Sequence, residues 1–315
     1  MLGHRVPRLR FGLIGTGHWA RTVHGPSVAA HPGAELVGVW GRDQARTAAL
    51  ADELRTRAYA ELDSLFELAD ALTFAVPPDV QAPIATRAAE RRLHLLLEKP
   101  IALSVGDAVR LERAVENAGV ASIVFFTRRF LPQIREWLQL VANTDGWYSG
   151  RTESDFNLFQ EGNPLSVSPW RRERGALWDM GPHSLAQLIP VLGDITAVSA
   201  VAGRGDQVHL IFRHSENRSS SASFSYTSPA ANGNNMFVDG TAGRSAAPMP
   251  ALSTAEFIAA HAAALDALID QAQQQEPAHP CDVHFGARIV EILAAAQASM
   301  ASGCVVELNT PPADS

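Results

Sequence analysis

Lysine is almost missing from this chain of 315 residues. Lysine and arginine together number 26, yet Lys99 is the only lysine, so the other strongly basic side chains are arginine. Cysteine is nearly as scarce: Cys281 and Cys304 are the two, with no CxxC and no metal-ligand pattern beside either. So few in a large chain argue against a disulfide framework and predict a reduced, cytoplasmic protein with two packed thiols. No basic excess exists either, since the formal net charge is −7, and nucleic acid is not an expected partner. The longest apolar runs, such as "ALTFAV", are too short to cross a bilayer. The opening "MLGHRVPRLR" is charged, and no apolar run follows it before the first strand, so export is not expected. No internal repeat is visible.

What remains is ordinary material for a globular protein, with 46% apolar residues and length enough for two cores. Through the first half, short apolar runs at 9–15, 34–41, 71–77, 94–100 and 121–127 alternate with amphipathic stretches such as "DQARTAALADELR" and "VGDAVRLERAVENAG". Apolar strands alternating with helices predict a doubly wound parallel sheet of the Rossmann type, an α/β domain over residues 1–125. The rest, 126–315, reads as an α+β domain. A helix from 131 leads into polar–apolar alternation at "GRTESDFNL", "ITAVSAVAG", "DQVHLIFRH", "SASFSYT" and "NMFVDGT". That alternation predicts an open, mostly antiparallel or mixed sheet, whose exposed face is expected to find a second copy of the chain. Two long helical patterns, 254–274 and 283–303, close the domain. The low-complexity "ENRSSSASFS" should be a hairpin and strand, and "QAQQQEPAHP" an exposed helix end and loop.

The first strand runs into Gly15-Thr16-Gly17-His18-Trp19-Ala20, a G-x-G-x-x-A opening a helix. In that context the glycines permit a tight turn and close approach of backbone amides to a dinucleotide's pyrophosphate. The second strand ends Trp40-Gly41-Arg42-Asp43. An acid at that tip would hold the ribose diol of NAD, whereas an arginine would pair with the 2′-phosphate of NADP. Arg42 leans towards NADP and Asp43 keeps NAD open, while both could also simply cap the next helix.

Lys99 follows a predicted parallel strand at its carboxyl end, the edge where ligands bind in such sheets. A compact ammonium there can hydrogen-bond a hydroxyl or carbonyl and share its proton. In "GALWDMGPHSLAQL" (175–188), Asp179 and His183 lie four apart and share a helix face. A carboxylate there can set the imidazole tautomer and aim the other nitrogen at a substrate. Alone, such a pair is more often a structural hydrogen bond or a fragment of a metal site; no third ligand is evident, so no metal is expected. Gly181 between them leaves room for a flat group against the backbone.

Taken in order, Gly15-Thr16-Gly17, "AVPPDVQ" (75–81), "EKP" (98–100), "FFTRRFLP" (125–132), "PWRRERGALWDMGPH" (169–183) and "DVHFGARIVEILAAAQASMASG" make the chain resemble the Gfo/Idh/MocA family of oxidoreductases, over nearly its whole length. That resemblance implies hydride exchange between a nicotinamide and a hydroxyl or ketone carbon of a sugar- or cyclitol-like substrate. Lys99 would hydrogen-bond the reacting oxygen, His183 would be the acid/base and Asp179 its partner. Glu98, Pro77 and Pro78 would line the cofactor, Trp170 and Arg171 would lie near its nicotinamide end, and Arg129 would be structural. Two departures bear on the substrate: Gln81 stands where the family often has histidine, and Ala186 where it commonly has an acid. Alternative readings on the same fold are a cofactor-sensing regulator without chemistry, and a reductase of an imine or linear tetrapyrrole.

Overall fold

A computed structural model describes residues 8–228, 233–274 and 279–309. The charged opening residues 1–7, and part of the expected helix end and loop near 275–278, lie outside the described residues. Strands in chain order are β1 Leu9–Ile14, β2 Ala34–Trp40, β3 Ala58–Tyr59, β4 Ala71–Phe74, β5 His94–Leu97, β6 Ser122–Val124, β7 Trp147–Asp155, β8 Ile195–Ala202, β9 Val208–His214, β10 Ser219–Ser225, β11 Gly233–Gly240, β12 Gly243–Ala246 and β13 Val306–Glu307. Helices are α1 Gly25–Ala30, α2 Gln44–Leu54, α3 Leu62–Phe66, α4 Pro78–Glu90, α5 Val105–Ala118, α6 Pro132–Ala142, α7 Pro169–Leu192, α8 Thr254–Gln274 and α9 Val283–Ser302.

The contacts divide the chain into two units, Met1–Phe130 with Leu252–Ala287, and Leu131–Ala251 with Arg288–Ser315. This differs from the expected split into 1–125 and 126–315, because α8 and the start of α9 belong with the first unit. The physical reason is coverage. After β6 the chain leaves without adding another crossover helix, and α8 comes back to pack on β5 and β6. Its residues Ala264, Leu265 and Leu268 are fully buried there.

In the first unit the strand order is β3-β2-β1-β4-β5-β6 and every pairing is parallel. All of β4 is buried, as a sheet covered on both faces requires. Local chemistry sets the helix ends. Asp43 caps α2 by accepting from the Arg46 N–H at 3.0 Å, and Ser104 caps α5 by accepting from the Asp107 N–H at 3.1 Å. Gly119 then ends α5 with φ 64°, the left-handed conformation that glycine adopts at least cost.

In the second unit the order is β12-β11-β7-β10-β9-β8-β13. Only β7 and β10 pair in parallel, so the sheet is mixed and mostly antiparallel. Along β9 burial alternates strictly, with Leu210 and Phe212 inward and Ile211 outward. α7 covers the inner face, pressing Leu188 and Leu192 so close that a Cβ on Gly150 of β7 would sit 2.9 Å from both. The outer face is mixed rather than apolar: Arg151, Glu153, His209, Ser221 and Ser223 surround the exposed Val201 and Ile211.

Two expectations are corrected. Cys281 is buried but Cys304 is exposed, so only one thiol is packed. Gly181 does not leave an open space; a Cβ there would meet Leu293 of α9 at 2.8 Å, so this glycine lets two helices of the second unit touch. Among the described residues no helix is long and apolar enough to cross a membrane.

Candidate functional site

Candidate residues fall into two clusters, one in each unit. In the first unit a cleft of about 250 Å³ opens at the carboxyl ends of β1, β2 and β4. Gly15, Thr16, Gly17, Arg42 and Pro77 line it, joined by Asp43, Arg46 and Val80. Gly15 has φ 123°, and a Cβ there would collide with the backbone of Ala75 at the end of β4; only glycine fits. A Cβ on Gly17 would meet nothing of the protein within 4 Å, so the space beside it is kept clear at the start of the following helix. A glycine that faces room rather than a neighbour suits the close approach of a dinucleotide's phosphates, and the cleft fits that group.

His18 and Trp19 open the helix but do not line the cleft. His18 is exposed, and Trp19 stacks edge-on against Phe257 of α8, ring centroids 4.9 Å apart. The helix is wound as a π-turn over Ala20–His24, which brings His24 fully inside. Pro78 is the first residue of α4, where its missing N–H costs nothing.

Lys99 is half-buried just beyond β5, and its neighbours are anchored twice. The Glu98 carboxylate lies 3.1 Å from His24 Nε2, and its other oxygen accepts from the Lys99 N–H at 3.1 Å. Behind His24, its Nδ1 meets Thr73 Oγ1 at 2.9 Å and His261 Nε2 at 3.1 Å. Since the carboxylate can only accept, His24 donates to it from Nε2. Burial, reinforced by His24 and His31, holds His261 neutral to well below the usual histidine range. The second anchor is Gln81, whose side-chain amide exchanges two hydrogen bonds with the Glu98 backbone.

In the second unit the four remaining candidates share α7. Gly175, at φ 66° and ψ −169°, breaks α7 into two helical pieces. Trp170 and Arg171 precede the break, with the Arg171 guanidinium 4.6 Å from the Trp170 ring, and Asp179 and His183 follow it. Arg171 Nε donates to Asp179 Oδ2 at 2.6 Å. The same oxygen accepts from Tyr226 Oη at 2.5 Å. Tyr226 was not anticipated; it directly follows β10, where the sequence shows only strand alternation. Burial and the Asp179 charge push its phenol well above the usual range, so it stays a donor. Asp206, also missed, holds this arrangement together. Its carboxylate accepts from the Tyr226 N–H at 2.9 Å and from the Ala176 N–H at 3.2 Å, tying the strand end to the break in α7. His183 is half-buried, with its carbonyl accepting from Gln187 Nε2, and Ala186 is fully buried.

Residues 9–126 match an oxidoreductase family with an NAD-binding Rossmann fold, and residues 151–246 match the GFO/IDH/MocA C-terminal domain. Among curated relatives, the uncharacterized oxidoreductase YdgJ of Escherichia coli is 28% identical over 67% of this chain and 63% of its own length. A D-xylose 1-dehydrogenase (NADP(+)) of Haloferax volcanii is 30% identical over 59% of this chain and 58% of its own. The chain thus spans about six-tenths of these relatives. Among solved structures, GenD2 from gentamicin A biosynthesis, in complex with NAD, superposes with a TM-score of 0.86 at 22% identity, covering 98% of each chain. At that identity the likeness shows the fold.

Proposed function

Because the chain belongs to the Gfo/Idh/MocA family of oxidoreductases, we propose that it is an NADP-dependent dehydrogenase or reductase acting on a hydroxyl or ketone carbon of a sugar- or cyclitol-like substrate. One observation carries the reading: the chain's sole lysine stands, with its neighbours anchored, at the carboxyl edge of the sheet whose adjacent strand ends line the nucleotide cleft. A bound nicotinamide would supply or accept the hydride. Lys99 would donate a hydrogen bond to the reacting oxygen and favour its charged form. His183 would pass the proton to or from that oxygen, and Asp179, held by Arg171 and Tyr226, would keep a negative charge beside the exchange. Glu98, Pro77 and Pro78 would support the cofactor, with Trp170 and Arg171 towards its reactive end.

The preference for NADP rests on three features of the cleft. Arg42 and Arg46 both line it. Asp43, the one acid among the described residues lining the cleft, already caps α2 with one carboxylate oxygen. Gly41 is hemmed in, its Cβ position 2.7 Å from Thr16 Cγ2, so a side chain at that residue would crowd Thr16. The NADP-linked sugar dehydrogenase among the relatives agrees. The two free thiols support a reducing compartment, the cytoplasm, and the outer face around Val201 and Ile211 supports a homo-oligomer through the second sheet. Sedimentation as a monomer at micromolar concentration would remove that last part.

The test is to incubate the protein with NADPH deuterated at the transferable position and a panel of keto-sugars and keto-cyclitols, reading products by mass spectrometry. Deuterium in an alcohol product is expected. Tight NADPH binding with no transfer to any candidate would instead make the chain a cofactor-binding regulator.

A further inference from the structure

The helix α4 carries two consecutive residues with different tasks. Val80 lines the nucleotide cleft, and Gln81, the next along, is fully buried. Its Oε1 accepts from the Glu98 N–H at 2.8 Å, and its Nε2 donates to the Glu98 carbonyl at 2.7 Å, with the carbonyls of Pro100 and Ile101 at 3.4 Å. The ladder of β5 ends at Leu97, so this side chain replaces a neighbouring strand for the residue directly before Lys99. A primary amide suits the task because it presents one acceptor and two donors at once and does not titrate near neutral pH.

We propose that Gln81 is a positioning residue for Lys99: its amide clamps the 98–101 segment and so fixes where the sole primary side-chain amine of the chain is presented. This deepens the function proposed above and rests on that reading for its kinetic consequence, but its structural consequence can be read without a substrate. A carboxyl in place of the amide separates clamping from simple filling of space. Protonated, it offers an O–H donor and a carbonyl acceptor in nearly the same places. Ionised, it sets two acceptors against the Glu98 carbonyl and the clamp opens. Burial beside carbonyl oxygens raises the pKa of such a group, which moves the opening towards neutral pH.

The experiment uses the full chain, reductively methylated with isotope-labelled formaldehyde. The label enters only at Lys99 and the α-amino group, so the lysine signal is read directly by NMR, with NADPH as the added probe. The wild type is expected to give one Lys99 resonance that moves on adding NADPH. In Gln81→Ala that resonance should shift and split, while NADPH affinity stays within about threefold, since the cleft itself is untouched. Gln81→Glu should match the wild type at acidic pH and Gln81→Ala at alkaline pH. Once a substrate is in hand, Gln81→Ala should lower kcat roughly 10–100-fold with little change in KM for NADPH, the loss typical of a misplaced reacting group. A Lys99 resonance and NADPH response unchanged in Gln81→Ala would overturn the proposal. If that variant does not fold, a Gln81→Glu spectrum whose pH dependence equals that of the wild type overturns it equally. Should Lys99→Met keep full turnover while the spectra behave as expected, the clamp stands and the assignment of chemistry to Lys99 fails.

Discussion

Removing a single oxygen, in Tyr226→Phe, probes how the Asp179 carboxylate is held. Asp179 and Tyr226 are 4% and 2% exposed, and the lost bond is a charge-assisted one of 2.5 Å to Asp179 Oδ2. Such bonds contribute about 1.5–3 kcal/mol when buried. Asp179 keeps its bond from Arg171, so the charge is not stranded and the larger penalty of an unpaired buried ion does not arise. The Tyr226 backbone stays fixed by Asp206, and the ring can keep its edge contact with Phe159, which confines the change to the hydroxyl. At about 2–4 °C per kcal/mol for a unit of this size, the melting temperature should fall by roughly 3–12 °C. The pH dependence supplies an independent sign. A phenol whose pKa is raised by folding contributes stability that is complete below the unfolded value near 10 and lost as pH rises through the folded value. Wild-type stability should therefore decline above about pH 10, and Tyr226→Phe should decline less steeply. Scanning calorimetry across pH reads both. A variant that melts within about 1 °C of the wild type, with the same alkaline slope, would refute the picture of a carboxylate held by two donors.

Other outcomes follow from single residues. Arg42→Ala should weaken NADPH binding roughly 10–100-fold by removing a charge-assisted contact to the 2′-phosphate, while NADH affinity changes less than about threefold; parallel fluorescence titrations distinguish this from an equal loss for both. Gly15→Ala should abolish binding of either cofactor or prevent folding, because the Ala75 backbone occupies the Cβ position; calorimetric titration showing normal binding would contradict it. Burial and the charge of Arg129 bring the His279 pKa down to about 4, so folding favours the neutral ring. That contribution is complete above the unfolded value near 6.5 and lost as pH falls towards 4. His279→Phe keeps the stacking with Phe130, now at 5.7 Å, gives up the bond to the Cys281 N–H, and should lose less stability than the wild type between those pH values in denaturant titrations.

Much of the first unit is legible in the sequence because its signals are local. Continuous apolar runs end at turn residues, and five of the six strands fall where periodicity puts them. The two-residue β3, Ala58–Tyr59, is too short to carry a period. The long helix 254–274 is equally plain, yet nothing in its pattern says which sheet it covers; that is decided by the uncovered face beside β5 and β6. In the second half the alternation gives five of the seven strands, missing the short β12 and β13, and does not give the parallel pairing of β7 with β10, which depends on long-range register. The candidate residues divide in the same way. Gly15, Gly17 and Lys99 are marked by residue type at strand ends. Tyr226, Asp206 and Gln81 act through partners 17 to 47 positions away, and no spacing rule reaches that far. Gly181 misled because a glycine read as space for a ligand is equally space for Leu293.

Single-turnover oxidation of bound NADPH by a keto substrate, compared between the wild type and Lys99→Met, tests most directly whether the lone lysine handles the reacting oxygen. A rate lower by about a hundredfold or more in the variant, with NADPH affinity preserved, is the expected result; equal rates within about threefold would contradict it.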